Sequence, residues 1–139
     1  MSSSGDDPAH LKQFLSAPIV DLLNFDIHVN DDETVDVTMQ VDERHHNPMG
    51  TVHGGMACVI ADAAMGLTFS RTLEPNQTFA TVELKVSFIR PVIKTTLRAE
   101  GKLVKRGSRV GFLDCEIFDH RRRIVGTGSC TCLITDLES

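Results

Sequence analysis

His53-Gly54-Gly55-Met56-Ala57-Cys58-Val59-Ile60-Ala61-Asp62-Ala63-Ala64-Met65-Gly66-Leu67-Thr68-Phe69 is the stretch on which the fold turns. Apolar residues fall all round a helix drawn from Met56 to Phe69, and a helix with no polar face is one surrounded by protein. Between Arg44 and Arg71 the one formal charge is Asp62. Burying a lone carboxylate is costly unless something pairs with it or uses it. A purely structural helix would carry Ala or Leu there at less cost, so Asp62 is the first candidate for chemistry.

Reading outward, Asp7-Pro8 offers an N-cap and a first residue for a short helix through about Ala17, with Leu11, Phe14 and Leu15 on one side. Pro18 is expected to end it. Phe25 to Val29 and Thr34 to Val41 alternate with period two around Asn30-Asp31-Asp32, which predicts a hairpin. Asp42 to Val52 is polar and loop-like, with Asn47-Pro48 and Gly50 as turn signals. Beyond the helix lie four strand candidates, Phe79–Phe88, Thr95–Lys105, Val110–Phe118 and Ile124–Ile134. The fold class expected is α+β, an antiparallel sheet of about six strands wrapped around one long buried helix. The Phe79–Phe88 run carries apolar residues in both registers, Phe79 in one and Val82, Leu84 and Val86 in the other. That implies a sheet with a second covered face, most simply covered by another copy of the chain.

The 139 residues suit one domain with a real core. A net charge of −5 disfavours a general nucleic-acid binder, which is usually basic. No apolar run reaches membrane-spanning length. The start, Met-Ser-Ser-Ser-Gly-Asp-Asp, has no signal-peptide pattern and reads as a disordered lead-in over residues 1–7, with the cytoplasm as the default location. The four cysteines contain no C-x-x-C pair. Cys130 and Cys132 share one strand face, which suits packing rather than a metal site, so no metal is expected. His45-His46 near His53 does not have the backing ligands that a zinc site needs.

Gly54 and Gly55 stand in the first helical turn, where backbone N–H groups have no intrahelical partner. Those amides could polarise a ligand carbonyl, or the glycines could simply allow a tight turn and close packing. Asn47 could hold a carbonyl or water, or cap its own turn. His53 reads more simply as a capping residue than as an acid. Asp62 lies seven residues beyond Gly55, roughly 10 Å along the helix at ~1.5 Å per residue. A carbonyl held by the glycine amides cannot also touch that carboxylate. Either the features are unrelated, or a second chain brings its Asp62 to the first chain's glycines.

The run Asn47-x-x-Gly50-x-x-His53-Gly54-Gly55, then Asp62, then Phe88-Ile-Arg90-Pro91, resembles the hotdog-fold acyl-CoA thioesterases of the PaaI type, in order from about residue 19 to 135. The resemblance implies one hotdog thioesterase domain over residues 1–139, dimers with composite active sites at their interface, and homotetramers made of two dimers. It implies hydrolysis of an aryl- or fatty-acyl-CoA, with CoA as part of the substrate and no cofactor. Asp62 then matches the catalytic acid, as nucleophile or as general base, Gly54 and Gly55 the carbonyl-polarising amides, and Asn47 the amide that places carbonyl or water. His53 matches the histidine supporting the turn, and Thr81 a hydroxyl near the attacking water. Two positions depart from the family pattern: Asn24-Phe25 replaces a common glycine, and Asp119-His-Arg-Arg-Arg123 replaces an acidic-glycine turn.

An acidic chain needs a local basic cluster to hold the CoA phosphates. Candidates are Arg90 with Lys94, Lys105-Arg106 with Arg109, and Arg121 to Arg123, each of which also reads as an ordinary solvated hairpin end. Phe25, Met49, Met56, Met65 and Phe69 could line an acyl pocket, although most fit the core equally well. Two other readings share the fold: a non-catalytic acyl-CoA-binding module, which would want an output domain, and a dehydratase, which would want an Asp-His arrangement in another order.

Overall fold

The computed structural model describes residues 9–137, so the Asp7-Pro8 cap and the 1–7 lead-in lie outside the described residues. Two short helices, α1 (Ala9–Leu15) and α2 (Pro18–Leu23), precede the hairpin β1 (Asp26–Val29) and β2 (Val35–Val41). A 3₁₀ turn over Glu43–His45 leads to the long helix α3 (Gly54–Ser70). Four strands follow: β3 (Gln77–Phe88), β4 (Thr95–Arg106), β5 (Val110–Phe118) and β6 (Ile124–Asp136). All six strands form one antiparallel sheet in the order β1-β2-β4-β5-β6-β3. No helix among the described residues is long and apolar enough to cross a membrane.

The sheet curls around the C-terminal part of α3. Ile60, Ala61, Ala64, Met65 and Phe69 are fully buried with Val35, Val37, Ala99 and Ile117 of the strands. Each large aliphatic side chain so buried contributes roughly 1.5–3 kcal/mol. Phe69 meets Phe79 edge to face, ring centroids 5.7 Å apart. Gly101 marks the closest approach of sheet and helix: a Cβ there would lie 2.5 Å from Thr68 Oγ1 and 2.6 Å from the Ala64 carbonyl oxygen. The Thr68 hydroxyl in turn accepts from the Val35 N–H at 2.9 Å, pinning helix to strand.

Three sequence expectations change. α1 stops at Leu15, short of the expected Ala17, and Pro18 instead occupies the first turn of α2, where its missing N–H costs nothing. The enclosed helix is only partly enclosed. Residues 54–59 and Asp62 are half-buried, whereas every other residue from Ile60 to Ser70 is buried. The third change concerns β3, where the register with β6 shifts between Thr81 and Glu83. This bulge at Val82 reverses the alternation, so Phe79 and Thr81 before it and Leu84 and Val86 after it share the inner face. Ile134, Cys132 and Cys130, the partners of Phe79, Thr81 and Leu84, are buried. Hence β3 is not apolar on both faces. Its exposed apolar residues Val82, Leu84 and Phe88 are exposed because β3 is the edge of the sheet.

Candidate active site

Asp62 sits midway along α3 on its half-open side. Thr81 Oγ1 donates to Asp62 Oδ1 at 2.9 Å, so β3 brings a hydroxyl to the helix carboxylate. The Val82 bulge directly follows Thr81, and bulges commonly re-aim a neighbouring side chain. Behind Thr81 lies Cys132, fully buried, its Sγ 3.9 Å from Thr81 Oγ1 and 3.9 Å from the Cys130 thiol. The Cys130 thiol is pushed up by its contact with Cys132 and by burial, and burial pushes the Cys115 thiol up to about 12. Neither is a nucleophile at neutral pH. Among the described residues Thr81 is the one hydrogen-bond donor to Asp62, which leaves carboxylate lone pairs for water or substrate.

The other end of the half-open side is the start of α3. His53 is its N-cap, and its Nδ1 accepts from the Gly55 N–H at 2.8 Å. An accepting Nδ1 puts the ring proton on Nε2. The two glycines therefore differ. Gly55 has its amide occupied, and a Cβ there would lie 3.0 Å from His53 Nδ1 and crowd the capping ring. The Gly54 N–H has no acceptor among the described residues, and Gly54 lines a cavity of about 410 Å³ together with Asn47, His53, Phe88 and Arg90. A Cβ on Gly54 would meet the Phe88 ring at 2.8 Å. Close packing and an available amide thus coincide at Gly54.

The loop before α3 is tied down by its polar side chains. Asn47 Oδ1 accepts from the N–H groups of Met49 and Thr51, and its Nδ2 donates to Thr51 Oγ1 at 2.9 Å. Asn47 is therefore the capping residue of its turn, with one amide proton left over at the cavity wall. His45 Nδ1 accepts from the Asp42 N–H, and His46 Nε2 donates to the Ile93 carbonyl at 2.8 Å. Among the described residues no group of three His, Cys, Asp or Glu side chains is placed to hold a metal.

The basic candidates separate clearly. Arg90 borders the Gly54 cavity. Arg106 is engaged in holding the β3–β4 end of the sheet, donating to Gln77 Oε1 at 2.8 Å and to the Gly107 carbonyl at 2.9 Å. Lys105 and Arg109 are exposed at the β4–β5 hairpin and line neither the Gly54 nor the Asp62 cavities. Arg122 pairs with Glu100 and covers the Phe118 ring at 4.2 Å, and Arg123 pairs with Asp119. Both departures from the family pattern have a conformational reason. Asn24 (φ 55, ψ 54) caps α2 and Arg122 (φ 62) sits in the last hairpin turn, each in the left-handed region that favours glycine.

Asp62 and Gly54 do not share a cavity. Asp62 opens onto two spaces of its own, bordered by Thr81 and Phe79 on one side and by Phe25, Cys58 and Leu84 on the other. Sequence reading missed two contributors, Phe88, whose ring packs on Gly54, and Phe14 of α1, which borders both Asp62 spaces. The available signals were the place of Phe88 at the head of the Phe88-Ile-Arg90-Pro91 motif and the Leu11-Phe14 spacing on α1.

Residues 49–125 match the thioesterase superfamily. The chain belongs to that superfamily. Its enzyme class is thioester hydrolase, and the α+β architecture is the expected hotdog. The chain is 30% identical over 107 residues to the 1,4-dihydroxy-2-naphthoyl-CoA hydrolase of Escherichia coli K12, covering 77% of this chain and 78% of that one. The Escherichia coli PaaI protein from the phenylacetic acid degradation operon has the same fold, with a TM-score of 0.82, 20% identity, and coverage of 93% and 94% of the two chains. A Bacillus halodurans protein solved with CoA is also similar, with a TM-score of 0.78, 23% identity, and coverage of 91% and 82%.

Proposed function

We propose that the chain hydrolyses an aryl- or fatty-acyl-CoA to the free acid and CoA in composite sites shared by two copies. The observation that carries this is the separation of Asp62 from Gly54 in one chain: the acid has no carbonyl-polarising amide beside it, and the amide has no acid. A second copy supplies each. β3 is a twelve-residue edge strand with exposed apolar side chains, a surface that pairs readily with another strand. Pairing two β3 edges would cover the half-open side of α3 and set one chain's Asp62 towards its partner's helix start. Two such dimers joining as a homotetramer follows the family pattern.

In that site the thioester carbonyl oxygen accepts from the Gly54 N–H, with the helix dipole favouring the developing negative charge. Asp62, held by Thr81, acts on water as a base or attacks the carbonyl carbon directly. On the first route water oxygen replaces sulfur, the carbon–sulfur bond breaks and the proton taken by Asp62 leaves with CoA as its thiol. On the second the carbon–sulfur bond breaks to give an anhydride with Asp62, which water then hydrolyses to the free acid while its other proton completes the thiol. His53 keeps the helix start in place, and Asn47 keeps the loop in place. Arg90 is the basic residue best placed for a CoA phosphate. Lys105 and Arg109 serve only if a partner brings them near, and Arg106 would have to give up its bonds to Gln77 and Gly107. The four free cysteines agree with a reducing cytoplasm.

The test is thiol release from a panel of acyl-CoAs by the full chain, read colorimetrically at several salt concentrations. Release with a KM that rises with salt and a nearly constant kcat is expected. Binding without thiol release across the panel would overturn the hydrolytic reading.

A further inference from the structure

The space around Asp62 is two compartments rather than one. One, of about 310 Å³, is bordered by Thr78, Phe79, Thr81 and Ser70 and so carries hydroxyl groups. The other, of about 350 Å³, is bordered by Ile19, Phe25, Cys58, Val59 and Leu84 and is apolar. Phe14, Asp62 and Ala63 border both, so they form the dividing wall. Asp62 and Ala63 belong to α3 and are fixed by the core. Phe14 comes from α1, is half-buried, and packs against the core beside the fully buried Leu11.

We infer that Phe14 is the specificity-determining residue of this site, restricting the acyl group to short-chain or single-ring acyl groups. The inference rests on the thioesterase reading given above. Chemistry assigns the compartments. The attacking water belongs on the hydroxyl side, where Thr81 and Asp62 face the same space. The hydrocarbon part of the acyl group belongs on the apolar side, where transfer from water is favourable and no buried polar group goes unpaired. Each compartment is near the lower limit of ligand cavities, which run from roughly 300 to 1,000 Å³. Of the three residues that border both spaces, Phe14 alone comes from outside α3, so its ring is the part of the wall that can limit how far a chain extends from the apolar side. Removing the ring joins the apolar side to the part of the other compartment that Gly66, Leu67 and Phe79 line, which lengthens the path for the chain while Asp62 and Thr81 keep the water.

The test compares full-length wild type, Phe14→Ala and Phe14→Leu on hexanoyl-, phenylacetyl- and hexadecanoyl-CoA. The ratio of kcat/KM for hexadecanoyl- to hexanoyl-CoA should rise about tenfold or more in Phe14→Ala, the scale on which a pocket distinguishes hydrocarbon size. Phe14→Leu should fall between and, because it keeps apolar packing on α1, carries the test if the Ala variant does not fold. The same three acyl-CoAs are then titrated into Asp62→Asn with and without Phe14→Ala, reading affinity by calorimetry. An unchanged chain-length order in both measurements overturns the role of Phe14. A changed affinity order with no thiol release from wild type upholds the dividing wall and overturns hydrolysis instead.

Discussion

The two ends of the half-open side of α3 are built by opposite means. At the helix start the backbone is the working part. Asn47, His46 and His53 commit polar atoms to loop and cap, and the backbone donor left free there is the Gly54 N–H. Two turns further on a side chain is the working part, an Asp62 carboxylate met by the Thr81 hydroxyl from a bulged edge strand. The first end has a donor for an oxyanion and no acid. The second has an acid and no backbone donor, because every mid-helix N–H is already bonded within the helix. Such complementary halves are the two parts that the proposed composite site would join across two copies of the chain.

The largest effect should come from removing the acid. Asp62→Asn is nearly isosteric and should lower kcat about 10²- to 10⁴-fold, the range of a positioned acid or base, with the far-UV spectrum and Tm preserved. Wild-type turnover by this variant would remove Asp62 from the mechanism. Gly54→Ala should also lose activity, since its Cβ would lie 2.8 Å from the Phe88 ring and would crowd an oxygen approaching the Gly54 N–H. Mixing these two inactive variants, with dissociation and reassociation, sharpens the comparison further. A hybrid dimer has one site in which both Asp62 and Gly54 are intact. About a quarter of wild-type sites should reappear in a random equal mixture, as two-fold pairing requires. No recovery, with hybrids demonstrated by native mass spectrometry, would place both groups in one chain's site.

Thr81→Val should have a smaller effect. A hydrogen bond to a charged group is worth about 1.5–3 kcal/mol, so kcat should drop roughly 10- to 100-fold. Thr81→Ser, which restores the donor, should recover most of it. A loss in Thr81→Ser with activity kept in Thr81→Val would mean that the methyl packing matters and the hydroxyl does not.

Much of this was legible from residue patterns because the signals were local. His53 as cap, Gly54 as first helical residue and the β5 bounds at Val110 and Phe118 follow from capping chemistry and period-two alternation. Asp62 was conspicuous as the one charge in an apolar helix. The Val82 bulge was not legible: one inserted residue moves the apolar positions from odd to even numbers, which reads as a strand apolar on both faces. The dimer argument consequently rests on β3 being an exposed edge, not on a doubly apolar strand. α2 was hidden because proline stops one helix and starts another equally well. The commitments of Arg106 to Gln77 and of Arg123 to Asp119 depend on contacts between distant segments, which no spacing rule reveals.

The smallest effect concerns the wall of the apolar compartment. Asn24 stands where the family pattern commonly has glycine, and it precedes Phe25, which borders that compartment. Its left-handed backbone (φ 55, ψ 54) and the bonds from its N–H to the Val20 and Asp21 carbonyls show that the position is a helix cap. Asparagine tolerates that conformation and glycine adopts it freely, while alanine pays about 1–2 kcal/mol in steric clash. Asn24→Ala should therefore lower unfolding stability by that amount in urea titrations, and Asn24→Gly should leave it within a few tenths of a kcal/mol. Because the requirement is conformational, Asn24→Gly should also leave the order of acyl-CoA preference unchanged, in contrast to Phe14→Ala. A glycine variant that reorders the substrates would show that the asparagine side chain, and not its backbone, shapes the compartment.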